Sequence, residues 1–121
     1  MTDYPKQREA LQLFRQLIHK YPTSLKIPLA AYYIGDIYKE YFRENIRAVK
    51  WYQRAVEWNP NLYKPARFNA AAVYDLRLKD TENAIYWYKQ VLDHERFNKS
   101  NVNWAENRLR DLQKLKQQQG G

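Results

Sequence analysis

Two histidines, His19 and His94, and thirteen Asp and Glu residues are the acids, bases and ligands this sequence offers, because it has no cysteine. Lacking that thiol, it has no disulfide, no thiolate nucleophile and no cysteine-held zinc. The histidines fall in different halves of the chain, so neither a shared metal site nor a proton relay is expected. Glu40, Glu44, Asp75 and Asp80 fall near expected helix ends among Lys and Arg residues, where ion pairing and capping account for them. Ser24 and Ser100 have no histidine at a recognisable spacing and read as helix N-caps rather than nucleophiles. No glycine-rich phosphate loop is present. These patterns lead to an expectation of no enzymatic activity, no metal and no cofactor.

The other chemistry on offer is recognition by aromatic side chains. Four Trp, eleven Tyr and four Phe are present, and several recur at one spacing. Tyr32, Phe68 and Trp104 are separated by steps of 36 residues. Beside them stand Tyr33, Asn69 and Ala105, and one helical turn on stand Asp36, Ala72 and Arg108. Large rigid side chains of this kind dominate binding energies at interfaces. The competing reading of the same row is packing between repeats. The candidate partner-binding residues are therefore Tyr32, Tyr33, Asp36, Lys39, Phe68, Asn69, Asp75, Trp104 and Arg108.

The elements that must carry this row repeat with it. A shift of 36 residues lays Ala48-Val49-Lys50-Trp51-Tyr52 over Ala84-Ile85-Tyr86-Trp87-Tyr88, and Tyr38 over Tyr74. Ala10, Leu13, Phe14, Leu17 and Pro22 form a partial copy at the start, and Val102, Trp104, Leu109 and Leu112 form another at the end. Ala48, Val49, Tyr52, Ala55 and Val56 have the i, i+3/i+4, i+7 spacing of one buried helix face. Breaking or capping residues at 22–24, 59–61, 80–81 and 98–100 separate the segments. Six helices are expected, near 5–20, 24–41, 45–58, 62–78, 81–95 and 101–117. Together they make one all-α domain over 1–117, with a half repeat at 5–22, repeats at 24–60 and 61–97, a capping helix at 101–117 and a flexible tail at 118–121.

Gly35, Tyr38, Ala48, Tyr52, Ala55 and Pro60, with Tyr74, Ala84 and Tyr88 in the second copy, form a pattern that resembles the tetratricopeptide signature. The resemblance implies a right-handed superhelical array of antiparallel helix pairs. It also implies a non-catalytic scaffold that takes a peptide or partner protein in a concave groove. Small residues at Gly35 and Ala48 would let paired helices approach closely. The second copy departs from the pattern with Ala71, Val91 and Arg96, which suggests a looser or longer turn near 94–100. The period exceeds the family's roughly 34 residues, and the excess is assigned to the connections. Tyr21 to Ser24, leading into Pro28 to Gly35, further resembles cell-envelope members of this family in bacteria.

The net charge of +8 raises the expectation of an acidic partner, yet it is spread evenly. Residues 1–60 hold ten Lys and Arg against six Asp and Glu, and residues 61–121 hold eleven against seven. RNA or another single-stranded nucleic acid is the alternative ligand, since helical repeats also read bases, but the apolar row argues against it. No apolar run approaches the roughly 20 residues of a membrane span, so no membrane insertion is expected. The compartment stays open: cell-envelope if a leader was removed, cytoplasmic otherwise. An incomplete first repeat would uncover Leu11, Leu17 or Ile18, which leads to an expectation of self-association into a homo-oligomer through that end.

Overall fold

The computed structural model of the chain describes residues 3–120; Met1 and Thr2, and Gly121 of the expected tail, lie outside the described residues. Among the described residues there are six α-helices and no strand. They are α1 (Pro5–Lys20), α2 (Ile27–Ile37), α3 (Asn45–Trp58), α4 (Ala66–Ala72), α5 (Thr81–His94) and α6 (Lys99–Gly120). The chain divides into two compact units, Met1–Lys64 with α1 to α3 and Pro65–Gly121 with α4 to α6. In the first unit α2 lies against both α1 and α3, and in the second α5 lies against both α4 and α6.

Hydrophobic periodicity accounts for these helices. On α3, Ala48, Val49, Tyr52, Ala55 and Val56 are all buried, and on α5 Ala84, Ile85, Tyr88 and Val91 are buried too. The close approach of α2 and α3 depends on Gly35. A Cβ there would stand 2.7 and 2.8 Å from Cε1 and Cδ1 of the buried Tyr52 ring. At the corresponding place in the second unit Ala71 is fully buried, so one methyl group fits there.

Helices α2 and α4 end alike. Each widens beyond 3.6 residues per turn, through Tyr38–Phe42 and Val73–Arg77, before the chain reverses. The Tyr38 carbonyl then accepts the Glu44 N–H at 3.0 Å, and the Tyr74 carbonyl accepts the Asp80 N–H at 2.8 Å. Arg43 and Lys79, also one period apart, adopt left-handed φ of 50° and 53°. Glycine would take that conformation more easily, so two cationic residues hold a turn that sequence would not assign to them.

Helix starts differ from expectation where side chains compete for backbone donors. Ser24 Oγ accepts the Lys26 N–H, and α2 begins only at Ile27, with Pro28 in its first turn. Leu62 is buried in the connection, its N–H bonded to the Asn59 carbonyl, and α4 waits until after Pro65. Asp80 caps α5 by accepting the Asn83 N–H. For α6 the capping side chain is Asn98, which accepts the Asn101 N–H, and not Ser100, which lies within the helix. That helix continues to Gly120, beyond the end expected at 117. On α1, Leu11 is buried and Leu17 and Ile18 are half-buried, whereas Leu13 is the exposed one.

Candidate binding surface

Tyr88 of α5 is the hub of the second unit. The ring is fully buried and packs edge to face on Phe68 of α4, with centroids 6.2 Å apart. Its hydroxyl donates to Asp75 Oδ2 at 2.8 Å and accepts the Trp104 Nε1–H of α6 at 3.1 Å. Arg108, one turn further along α6, closes the arrangement with two 2.8 Å hydrogen bonds to the Asp75 carboxylate. Phe68, Asp75, Trp104 and Arg108, four of the expected site residues, thus meet around one tyrosine.

The sequence position of Asp75 near a helix end points to surface pairing, yet its side chain is almost entirely buried. Burial opposes its ionisation, but the hydrogen bonds from Arg108 and Tyr88 and the charge of Arg108 outweigh that penalty. Its carboxyl is held below the ordinary value of 3.8. A depressed folded-state value makes the pair stabilising above the unfolded value, and that stability is lost as pH falls through the folded value. Acidification below about pH 4 should therefore destabilise the chain less steeply once Asp75→Asn has removed the titrating group, as denaturant midpoints at neutral and acid pH would show.

The first unit repeats the tyrosine and shifts the acid. The Tyr52 ring packs at a tilt on Tyr32 with centroids 5.7 Å apart, in the place of the Tyr88 and Phe68 pair one period later. Its hydroxyl donates to Asp36 rather than to a residue at the position of Asp75, which Lys39 occupies. Burial raises the Asp36 carboxyl, with the Tyr52 hydrogen bond and Lys39 pulling against it. Lys39 itself pairs with Glu40 at 3.1 Å. Tyr33 is half-buried, stacked on Phe14 of α1 and facing the ammonium of Lys64.

Register alone did not determine exposure along the aromatic series. Tyr32 is 7% exposed, Phe68 is half-buried, and Trp104 is 44% exposed. Tyr32 is a core residue, wedged between Tyr33 and Tyr52, whereas the Trp104 ring is open to solvent while its Nε1–H is tied inward. Asn69 is half-buried beside Phe68. Among the signature residues, Ala48, Ala55, Ala84, Tyr38, Tyr52 and Tyr88 are buried, Tyr74 is half-buried and Pro60 is exposed.

No family model matches this sequence, and no curated protein is significantly similar to it.

Sequence reasoning missed Glu95. The connection after α5, expected to be loose, spans only residues 95–98 and is anchored by this carboxylate, which is 1% exposed. Glu95 Oε2 accepts the Arg67 backbone N–H at 2.8 Å and its guanidinium at 3.4 Å, while Oε1 accepts the Phe68 N–H at 3.1 Å. Burial raises the Glu95 carboxyl, and these donors pull it back only in part. Glu95 thereby caps the start of α4, which has no capping side chain at Pro65. No signal marked it, because the residue one period earlier is Asn59, which serves its own turn by accepting the Asn61 N–H.

Among the described residues no helix is long and apolar enough to cross a membrane.

Proposed function

We propose that this chain is a non-catalytic protein-interaction module of the tetratricopeptide kind, which holds a peptide or a segment of a partner protein in a concave groove that Trp104 lines. The observation that carries this reading is Trp104. A large indole left 44% exposed is held in one orientation by its hydrogen bond to Tyr88, which Asp75 and Arg108 brace in turn. A rigid, half-exposed aromatic loses little entropy on binding and makes a strong anchor. The two buried carboxylates support the same reading, since Asp75 and Glu95 are committed to structural hydrogen bonds. The repeated turns at Arg43 and Lys79 and the repeated Tyr52 and Tyr88 favour the helical-repeat architecture that the sequence pattern resembles.

Tyr32→Ala is a poor probe of binding, because that side chain is part of the core. Trp104→Ala is the direct one. Peptides selected from a displayed library against the whole chain should bind the Trp104→Ala variant about thirtyfold more weakly, the loss of roughly 2 kcal/mol typical of a hot spot. Circular dichroism would establish that the variant is folded. Equal affinity of every selected peptide for both proteins would defeat the proposal. Binding of single-stranded RNA that weakens steeply with salt would favour the nucleic-acid reading instead.

A further inference from the structure

One face of α1 is basic. Arg8, Gln12, Arg15 and His19 follow one another at three- and four-residue steps, the spacing of neighbours along a helix. Opposite them, within the same unit, stand Tyr38 and Phe42 of the widened turn and Arg47 at the start of α3. Between these walls lies an open cleft of about 1130 Å³. Leu11 and Tyr38 are buried beneath it and Phe42 is half-buried, so its floor is apolar.

The cations of the rim are placed by that floor. Arg15 donates to the Tyr38 hydroxyl, and the guanidinium carbons of Arg15 and Arg47 lie 5.9 and 5.7 Å from the Tyr38 ring centroid. Cation–π attraction of this kind holds both guanidiniums at the cleft without neutralising either. Arg8, Arg15, Lys20 and Arg47 line the cleft with the carboxylate of Glu44; Arg8 is paired with Asp3 outside the lining, which leaves Arg15, Lys20 and Arg47 as the cations that set its charge. The Glu44 carboxylate is 3.4 Å from Arg47, and both groups are well exposed to solvent, so their pairing is weak.

We propose that this cleft is a second docking surface, for an acidic amphipathic segment of a partner protein. Apolar side chains of the segment fill the floor over Leu11 and Phe42, and its carboxylates meet Arg15 and Arg47. Charge complementarity chooses this occupant. A second copy of the chain would bring its own net charge of +8 against a basic rim. Nucleic acid would need an open aromatic face for stacking, whereas Tyr38 is buried beneath two guanidiniums and Phe42 packs against Tyr4 and Tyr38. The cleft uses no residue of the Trp104 cluster, so either proposal can fail without the other.

The test is an amide NMR titration of the full chain with a synthetic amphipathic peptide of leucine and glutamate. Saturable shifts are expected along α1 and through Tyr38 to Arg47. Binding should weaken at least about tenfold in the Arg15→Glu, Arg47→Glu double variant, as expected when desolvated charge contacts are reversed. A control double variant, Arg96→Glu with Arg110→Glu, changes the net charge equally on exposed positions outside the cleft and should bind like the parent. If the first variant loses helicity, Arg15→Gln with Arg47→Gln takes its place. The proposal is overturned if the peptide gives no saturable shift, if shifts spread over all the basic residues, or if the control weakens binding equally. It is also overturned if oligouridylate binds the cleft more tightly, or if a concentration-dependent dimer is abolished by the cleft variant.

Discussion

Replacing Glu95 by alanine should cost about 3–5 kcal/mol of stability, the largest single loss expected in the chain. The reason is what the carboxylate leaves behind. Two backbone N–H groups in the first turn of α4, those of Arg67 and Phe68, lose their acceptor in a buried place. The Arg67 guanidinium, itself only 5% exposed, loses its carboxylate. Removing the acceptor shared by a buried ion pair and two helix-start N–H groups costs more than those interactions contributed. Glu95→Gln should recover a large part of the loss, because it keeps the volume and one carbonyl acceptor, and burial already disfavours the charge. Urea unfolding of the three proteins at neutral pH would order them as parent, glutamine, alanine. Equal midpoints for parent and alanine variants would remove Glu95 from its capping role.

Gly35→Val should produce the second large loss, toward the upper end of the roughly 1–3 kcal/mol typical of overpacking. Its Cβ would meet two ring carbons of Tyr52 at 2.7 and 2.8 Å, and that ring is fully buried and tied to Asp36. It cannot swing aside without breaking the hydrogen bond or opening the core between α2 and α3. Gly35→Ala meets the same ring atoms but gains about 1 kcal/mol of helix propensity, so its cost should be smaller. The remote position offers a control. Nothing lies within 4 Å of a Cβ at Gly120, where Gly120→Val should leave the unfolding midpoint unchanged.

These two positions show how unevenly the sequence discloses the structure. Gly35 was legible because a small residue opposite an aromatic has one geometric reason to exist in a helix interior. The buried faces of α3 and α5 were legible for the same reason, since apolar spacing translates directly into a helix stripe. Glu95 was hidden because its partners, Arg67 and Phe68, stand 28 and 27 residues away and are bonded chiefly through their backbone N–H groups. The widened turns were hidden because arginine and lysine, not glycine, occupy the left-handed positions at 43 and 79.

The aromatic row was legible in register and not in exposure. Period arithmetic put Tyr32, Phe68 and Trp104 in equivalent places. Whether each ring meets solvent depends on its neighbours, and those differ. Tyr32 has Tyr33 and Tyr52 against it, while Trp104 reaches inward only through its Nε1–H. Asp75 and Arg108, both expected as ligand contacts, are bonded to each other, with Asp75 buried and Arg108 left partly exposed.

The indole N–H resonance of Trp104 reports on this account most directly. When a library-selected peptide is added to the labelled chain, that resonance should shift and saturate together with binding, while the buried Trp87 indole stays in place. If every selected peptide that still saturates the Arg15→Glu, Arg47→Glu double variant leaves the Trp104 indole unmoved, the account is contradicted.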